Sequence, residues 1–292
     1  MIDRNRKGGF REHCRMKYDG KRIGYVSPAA ATGFVAIALA YILSLFHVEL
    51  AVIPLSVFVF LCVVAPFFPS RSFFLPVISR GRTGRPVVSL TFDDGPDPVT
   101  TQSLLQLLGR HSVKAAFFVT GERAAKYGGL ISEILEQGHE VGNHSYHHDP
   151  FLMLRPSERL YREIESMQIL LKRFSIVPIA FRPPVGVTSP KLADVLLQQG
   201  LLCVTFSCRA FDAGNRFIRG LSARILKKVN PDDIILLHDI NPKGGMDIDV
   251  WLHEIEMILF GLKNRGLEIV PLAELLEESV MIGIGDDRRR GH

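Results

Sequence analysis

Two adjacent carboxylates are the first residues in this sequence that suggest metal chemistry. Asp93 and Asp94 stand in the run Phe92-Asp93-Asp94-Gly95-Pro96. Like charges at such close range raise the pKa of one carboxyl group unless a cation lies between them, and a metal ion can be that cation. The alternative is a polar turn, for which Asp-Gly-Pro is favourable chemistry. The aspartate pair alone leaves both possibilities open.

A histidine pair further along the chain favours the metal. His144 and His148 lie four residues apart, with His147 between them. If this segment forms a helical turn, His144 and His148 point to the same side and can share one ion through neutral imidazole nitrogens, whereas His147 points elsewhere. Two histidines and one carboxylate with open coordination positions are typical of catalytic zinc. The alternative is a histidine-rich surface loop.

These residues require elements that bring them together. From residue 86 onward, short β-branched runs alternate with helical patterns, and the predicted strands span residues 87–92, 113–119, 139–143, 176–181, 201–206, 234–238 and 267–270. This alternation predicts an α/β fold with a parallel sheet, and seven strands in one domain favour a closed or nearly closed barrel. Active sites of parallel barrels lie at the carboxyl ends of the strands. The aspartate pair and the histidine pair each follow such an end.

Five motifs occur in an order that resembles the polysaccharide deacetylases, the family of NodB homology and carbohydrate esterase family 4 type that includes rhizobial chitooligosaccharide deacetylase. They are residues 91–96, 144–148 and 181–186, Asp212, and residues 236–239, and the match covers residues 86–275. The resemblance implies a distorted (β/α)7 barrel. It also implies a metal-dependent hydrolase that removes an N-acyl group, acetyl or formyl, from an amino sugar. The expected cofactor is one divalent ion, Zn²⁺ before Co²⁺, Ni²⁺ or Mn²⁺.

The resemblance further implies a role for each matching position. Asp93 is the expected general base, and Arg182 keeps it ionised and aimed. His238 is the expected general acid, because an imidazole beside a buried carboxylate, here Asp212, can hold a proton near neutral pH. A surface Arg182 and a structural His238 are the alternatives. The remaining expected site residues are the metal ligands Asp94, His144 and His148 and the substrate-binding residues Pro184, Val185 and Leu236.

Three positions depart from the family pattern. Val185 stands where an aromatic residue is usual, Ala213 where a Trp is usual, and Arg209 where an Asp is frequent. Backbone N–H groups near Val185 can still stabilise an oxyanion, since they do not depend on the side chain. The missing aromatic rings remove surface on which sugars stack. A typical chitin or peptidoglycan chain is therefore a less favoured substrate.

A strongly apolar segment precedes the expected catalytic domain. Residues 28–68 are apolar except at His47-Val48-Glu49, and each half, about 19 to 20 residues, is near the length that crosses hydrocarbon. We therefore predict a transmembrane helical hairpin rather than a cleaved signal peptide, which has one short apolar core. The predicted division is a basic cytoplasmic segment (1–27), the hairpin (28–68), a linker (69–85), the catalytic domain (86–280) and a disordered tail (281–292).

Basic residues on both flanks predict the orientation of the hairpin. Residues 1–26 contain eight Lys and Arg against three Asp and Glu, and residues 70–85 contain four Arg and no acid. Such residues are retained in the cytoplasm, so both termini and the catalytic domain of a multi-pass inner-membrane protein should face it. The net charge of +5 then indicates attraction to membrane lipids and no nucleic-acid partner. The expected substrate is an amino sugar on a lipid carrier or glycolipid.

Other functions remain open at this point. One is deacetylation of an extracytoplasmic polysaccharide of chitin or peptidoglycan type, which requires the opposite orientation. Another is a non-catalytic membrane protein that only binds sugar or metal, and a third is hydrolysis of a non-sugar cyclic amide. The four cysteines are scattered and show neither metal-binding nor disulfide spacing.

Overall fold

Two apolar helices begin the part of the chain that the computed structural model describes, residues 26–242 and 247–284. Helix α1 spans Pro28–Ser44, and α2, Val52–Val64, is extended at either end by the 3-10 turns Val48–Ala51 and Ala65–Phe67. Ser27 caps α1 by accepting the N–H of Ala30 at 3.1 Å. Most of the predicted segment 1–27, and residues 285–292 of the predicted tail, lie outside the described residues.

Only one of these helices has the length of a membrane span. Among the described residues, Val48–Phe67 combines 20 residues with a mean hydropathy of 2.6 and no burial. Helix α1 has 17 residues, about 26 Å at 1.5 Å each, which is short of the roughly 30 Å of hydrocarbon. Helix α1 is therefore shorter than the predicted half of 19 to 20 residues, because the chain turns after Ser44, and a span of the membrane by α1 stays a prediction.

A curled parallel sheet forms the rest of the molecule. Its strand order is β6-β5-β3-β2-β1-β8-β7, with β9 also paired to β1. The strands are β1 Val87–Asp93, β2 Ala116–Val119, β3 Glu140–Asn143, β4 Ile176–Pro178, β5 Ala180–Phe181, β6 Leu202–Cys203, β7 Cys208–Arg209, β8 Ile234–His238, β9 Glu268–Ile269 and β10 Met281–Gly283. The sheet agrees with the α/β prediction, as a curled half-barrel rather than a closed ring.

Helices cover the outer face of this sheet. They are α3 Thr101–Arg110, α4 Gly121–Lys126, α5 Gly128–Glu136, α6 Ser157–Leu171, α7 Pro190–Gln199, α8 Leu221–Lys228, α9 Ile248–Asn264 and α10 Leu272–Leu276. Strand β1 is buried along its whole length, as expected for a parallel strand with both faces covered. In α3 the leucines at 104, 105, 107 and 108 are buried, so its apolar stripe packs on the sheet.

The strand register aligns the ends that carry the candidate residues. Asp93, the last residue of β1, pairs with His238, the last residue of β8. Asn143 at the end of β3 pairs with Phe181 at the end of β5. The residues that follow these strands therefore emerge at one edge of the sheet.

Several predicted boundaries differ from the structure. The predicted strand 176–181 is two strands, and residues 281–283, assigned to the tail, form β10 antiparallel to β4. Strand β7 was not predicted as a separate element. The predicted linker 69–85 is docked: Leu75 is buried and Ile78 bridges to Val204. Short strands at a sheet edge have too few residues for a recognisable alternation, which is why the sequence pattern missed them.

Candidate active site

Arg182 and Asp93 form a buried ion pair in the curl of the sheet. Arg182 Nη1 donates to Asp93 Oδ1 at 2.6 Å and to Thr91 Oγ1 at 2.8 Å. Its other nitrogens donate to backbone carbonyls, Nε to Val204 at 3.2 Å and Nη2 to Thr205 at 2.9 Å. Burial lowers the pKa of Arg182, although Asp93 opposes this shift. The guanidinium is therefore held by four hydrogen-bond acceptors. The alternative, that Arg182 is an ordinary surface arginine, is wrong.

Asp94 turns away from its neighbour and faces the two histidines. Its φ of 72° is left-handed, and its Oδ1 lies 3.3 Å from His144 Nε2 and 3.1 Å from His148 Nε2. One ligand-type atom from each of these three residues lies within 4.8 Å of the others. The structure thus brings together the three predicted metal ligands.

Residues 144–148 reach this geometry without forming the helical turn on which the prediction depended. Ser145 and His148 have φ values of 65° and 52°, so the chain folds through two left-handed residues. Asn143 Oδ1 accepts the N–H of Ser145 at 2.9 Å, and Ser145 Oγ accepts the N–H of His148 at 3.2 Å. These side-chain contacts bring the two imidazole rings to a centroid distance of 4.8 Å. Local turns of this kind compete with helix formation.

His147 contacts Glu163 and not Asp94, although the helical turn on which this expectation depended is absent. Its N–H and Nδ1 both contact the carboxylate of the buried Glu163, at 2.9 and 2.7 Å. Its side chain is half exposed. His147 therefore lies in the same loop as the two expected ligands but does not face Asp94, and it can serve as a control position.

The ligand-type residues fit a metal ion. Asp94 Oδ1 is buried and, within the described part of the chain, accepts no hydrogen bond, because neither imidazole contact has hydrogen-bond geometry. His144 Nδ1 lies 2.8 Å from the Arg182 carbonyl, which can only accept, so Nε2 carries the free lone pair. A buried acceptor surrounded by two imidazole Nε2 atoms is the environment that a divalent cation completes.

The charges of these groups agree with that fit. Burial opposes ionisation of Asp94, but the adjacent imidazoles outweigh it and hold the pKa of Asp94 well below its usual range. Burial and the charge of His144 lower the pKa of His148. For His144, burial is outweighed by Asp93 and Asp94, and the pKa rises. A cation on Nε2 competes with that proton, so metal affinity at this site depends on pH.

His238 and Asp212 form the second functional pair. His238 Nδ1 donates to Asp212 Oδ2 at 2.7 Å, which leaves Nε2 to face the site. Burial opposes the charge of His238, but the hydrogen bond to Asp212 and the nearby carboxylates outweigh it and raise its pKa to about 9. Asn215 Nδ2 donates to the carbonyls of His238 and Ile240 at 3.0 and 2.7 Å. This contact ties the loop of Asp212 to the end of β8.

The predicted substrate-binding residues lie in different environments. Leu236 is buried two residues before His238 on β8, so it lies on the same face of the strand, below the histidine. Pro184 is buried and Val185 is exposed, with a left-handed φ of 53°. A β-branched residue in this conformation is strained. Val185 is the exposed residue of the three.

Arg209, at a position where the family frequently has an Asp, lies close to two aromatic rings. Its guanidinium carbon lies 4.1 Å from the ring centroid of Phe211 and 5.4 Å from that of Phe206. These are cation–π distances. Ala213 is exposed and left-handed. This part of the chain therefore places an arginine between two phenylalanine rings.

Supporting residues were missed by the sequence analysis. Asp239 is fully buried and accepts from Thr100 Oγ1 at 2.7 Å and Thr101 Oγ1 at 2.6 Å. Burial raises its pKa to about 7. A side-chain carbon on Gly95 would lie 2.6 Å from Asp239 Oδ2, so glycine is required in the turn after the aspartate pair. The adjacency of Asp239 to His238 was the one available signal.

Several known proteins are similar to this chain. A family model described as polysaccharide deacetylase matches residues 80–204. The peptidoglycan-N-acetylglucosamine deacetylase of Bacillus cereus is 31% identical over 192 residues, which cover 65% of this chain and 88% of that protein. The chitooligosaccharide deacetylase of Sinorhizobium fredii is 36% identical over 57% of this chain and 78% of that protein.

A solved structure shows the same fold. The Bc1960 peptidoglycan N-acetylglucosamine deacetylase superposes with a TM-score of 0.62 at 30% identity, over 70% of this chain and 94% of that chain. Other relatives are longer: the chain spans 42% of the peptidoglycan-N-acetylglucosamine deacetylase PgdA of Listeria monocytogenes. The relatives named here are deacetylases, which hydrolyse amide carbon–nitrogen bonds. The chain belongs to the polysaccharide deacetylase family.

Proposed function

We propose that this protein removes an N-acyl group, acetyl or formyl, from an amino sugar in a metal-dependent reaction at the membrane. The observation that carries the proposal is the convergence at one sheet edge of three units. These are the Arg182–Asp93 ion pair, the Asp94, His144 and His148 cluster, and the Asp212–His238 pair. Together they supply a base, a set of metal ligands and an acid, which amide hydrolysis requires.

The protein side chains divide the proton transfers between them. Asp93 Oδ1 is held by Arg182, so Oδ2 is the oxygen available to take a proton from attacking water. His238, protonated and held by Asp212, gives a proton to the leaving amine. Asp94, His144 and His148 would hold a divalent ion, which would supply Lewis acidity towards the amide carbonyl and lower the pKa of water. We propose Zn²⁺, since two imidazoles and one carboxylate with open positions suit it, with Co²⁺, Ni²⁺ or Mn²⁺ as substitutes.

The proposed substrate is a lipid-linked or glycolipid amino sugar at the cytoplasmic face of the inner membrane. Three observations support it: the exposed apolar span Val48–Phe67, the basic residues on both flanks of residues 28–68, and the departures from the family pattern at Arg209, Ala213 and Val185. Basic flanks favour the cytoplasmic side. An active site there meets lipid-linked precursors rather than finished wall polymer.

The test is a comparison of substrates with one preparation. The detergent-solubilised full chain is incubated with a lipid-linked N-acetylated amino sugar, an N-acetylated chitin oligosaccharide and purified peptidoglycan, and released acetate or formate is measured. We expect release from the lipid-linked substrate, abolished by Asp93→Asn. Release from none of the three at any metal supplied would contradict a deacylase and favour a binding protein.

The second candidate is deacetylation of an extracytoplasmic wall polymer. It is favoured by the names of the relatives, several of which are peptidoglycan deacetylases. It requires the catalytic domain to lie outside the cytoplasm. Peptidoglycan as the preferred substrate in the comparison above would select this candidate over the lipid-linked one.

A further inference from the structure

The apolar helices are held in a fixed position against the catalytic domain. After α2 the chain packs Leu75 into the cluster that contains Leu152, Met153 and Phe181. It then bridges Ile78 to Val204. Arg80 forms an ion pair of 2.6 Å with the buried Asp233. A segment with a buried leucine, a backbone bridge and an ion pair to a buried aspartate does not behave as a flexible tether.

The two helices leave the domain beside Arg182. The carbonyl of Pro69 accepts from Thr205 Oγ1 at 2.7 Å, and Thr205 is a residue whose carbonyl binds Arg182. A side-chain carbon on Gly186 would lie 3.3 Å from Pro69. The start of α1 is tied to the same place, because the N–H of Ala29 donates to the carbonyl of Phe73 at 3.0 Å. Both helix ends therefore meet next to the Val185 loop.

Loops around this point expose apolar side chains. We call Phe151, Leu154 and Val185 the rim; their exposed fractions are 62%, 78% and 55%. Phe151 and Leu154 follow the metal-ligand loop of His148, and Val185 follows Arg182. The rim is continuous with the helix exit, since Leu152 and Met153 share a cluster with Leu75, and Val187 packs against it.

Long basic side chains border the rim. Arg155 directly follows Leu154 and pairs with Asp149 at 2.8 Å, and Lys191 Nζ donates to the Arg155 carbonyl at 2.7 Å. Exposed apolar tips next to basic side chains are the combination found where proteins lie in the headgroup layer of a bilayer. A hydrophobic surface of this kind indicates an interaction site.

We propose that the rim rests on the bilayer surface, so that the reaction takes place on an amino sugar at headgroup depth whose other end is a lipid. The inference rests on the proposed function, in which α1 and α2 lie in the membrane and the substrate is a lipid-linked amino sugar. The helix exit beside Val185 fixes the rim near the point where the chain enters hydrocarbon. A second copy of the chain would cover the rim equally well but would not need the helices beside it.

Tryptophan fluorescence with brominated lipids tests this contact directly. The chain has one tryptophan, Trp251, which is fully buried and supplies a constant background. Leu154→Trp and Phe151→Trp are placed, one at a time, in the full-length protein and reconstituted in nanodiscs of phosphatidylcholine and phosphatidylglycerol with or without bromine at carbons 6 and 7. The control is Ile169→Trp, because Ile169 is also exposed, at 56%, but lies on α6 about 18 Å beyond Ser157.

We expect both rim variants to lose fluorescence in brominated nanodiscs, whereas Ile169→Trp and the parent protein keep it. Equal quenching of rim and control variants would overturn the proposal. A blue shift of the rim variants without bromine quenching would also overturn it, because that result indicates contact with protein. Quenching needs no turnover, so failure of the enzyme on every amino-sugar substrate would contradict the proposed function and leave this measurement valid.

Discussion

At the scale of single residues, the site depends on two neighbouring aspartates with different partners. Asp93 ends a strand and points to Arg182, while the left-handed conformation of Asp94 turns its carboxylate towards two imidazoles. Two carboxylates so close would repel each other if both faced the same group. Each instead has cationic or metal-binding groups of its own. The pair can therefore divide into a base and a ligand.

This division predicts unequal effects of the two conservative substitutions. Asp94→Asn should lower metal content, since a neutral amide is a poorer ligand than a carboxylate. Asp93→Asn should keep the metal and reduce turnover about 100- to 10,000-fold, the usual contribution of a general base. Metal content by atomic emission and the deacylation rate, measured on the same samples, separate the two. Parent-like turnover of Asp93→Asn would show that the base is another residue.

The histidine loop contains its own control. His144→Ala and His148→Ala should remove metal and activity together and leave the circular dichroism spectrum unchanged, because barrel active sites lie on loops that the core does not need. His147→Ala should retain the metal, since His147 faces Glu163. Full metal occupancy in both ligand variants, or loss of metal in His147→Ala, would contradict the ligand set.

The expected general acid, His238, predicts the direction in which the reaction rate changes with pH. His238 has a pKa of about 9 and can donate only while protonated, so the rate should fall as the pH rises through this value. Asp212→Asn removes the carboxylate charge that raises the pKa, whereas the burial that lowers it remains. The alkaline limb should therefore move to lower pH. The turnover number as a function of pH checks this, with the exposed Asp194→Asn as control; coincident profiles for parent and Asp212→Asn would refute the coupling.

Residue types and spacing indicated the cluster of Asp94, His144 and His148, whereas the Arg182–Asp93 and Asp212–His238 pairs were expected from the resemblance to the family. The supporting contacts could not be predicted in the same way. Thr205 contacts Arg182 through a backbone carbonyl, and Thr100 reaches Asp239 across 139 positions. Backbone acceptors and distant hydroxyls have no sequence pattern of their own, so only the fold reveals them.

At the scale of loops and strands, Val185 shows strain beside the site. Its φ of 53° is a conformation that costs a residue with a side chain about 1–2 kcal/mol. Val185→Gly should raise the free energy of unfolding by about 1 kcal/mol, because glycine adopts positive φ without this cost. Val187→Gly, at a φ of −83°, should lower it. Thermal unfolding of the solubilised variants measures both, and destabilisation by Val185→Gly would argue against strain at this position.

Strand β7 was missed by the sequence pattern, whereas the equally short β6 and β9 lie within the predicted strands 201–206 and 267–270. Strands β1 and β8 have seven and five residues, and β8 begins with four apolar residues in a row. Strand β7 has two residues, which is too short for any periodicity. The turn of residues 144–148 was also beyond the pattern, since a four-residue spacing fits a helix and a double left-handed turn equally well.

At the scale of the whole molecule, the docked segment 69–85 changes how the domain and the helices relate. Prolines and arginines in this segment indicated a linker, and composition carries no information on whether such a segment packs. Leu75 and Ile78 were the apolar residues that would have signalled packing. A fixed helix exit beside Arg182 means that the orientation of the helices in a membrane also orients the active site.

The side of the membrane on which the catalytic domain lies is predicted from the basic residues that flank residues 28–68. Because Lys and Arg near a span stay in the cytoplasm, a reporter fused at His292 should behave as cytoplasmic. A reporter inserted between His47 and Glu49, in the turn between α1 and α2, should behave as external. Fusions to alkaline phosphatase, active only outside, and to a fluorescent protein, fluorescent only inside, give opposite readouts at each position. An active phosphatase at His292 would reverse the topology and make a wall polymer the preferred substrate.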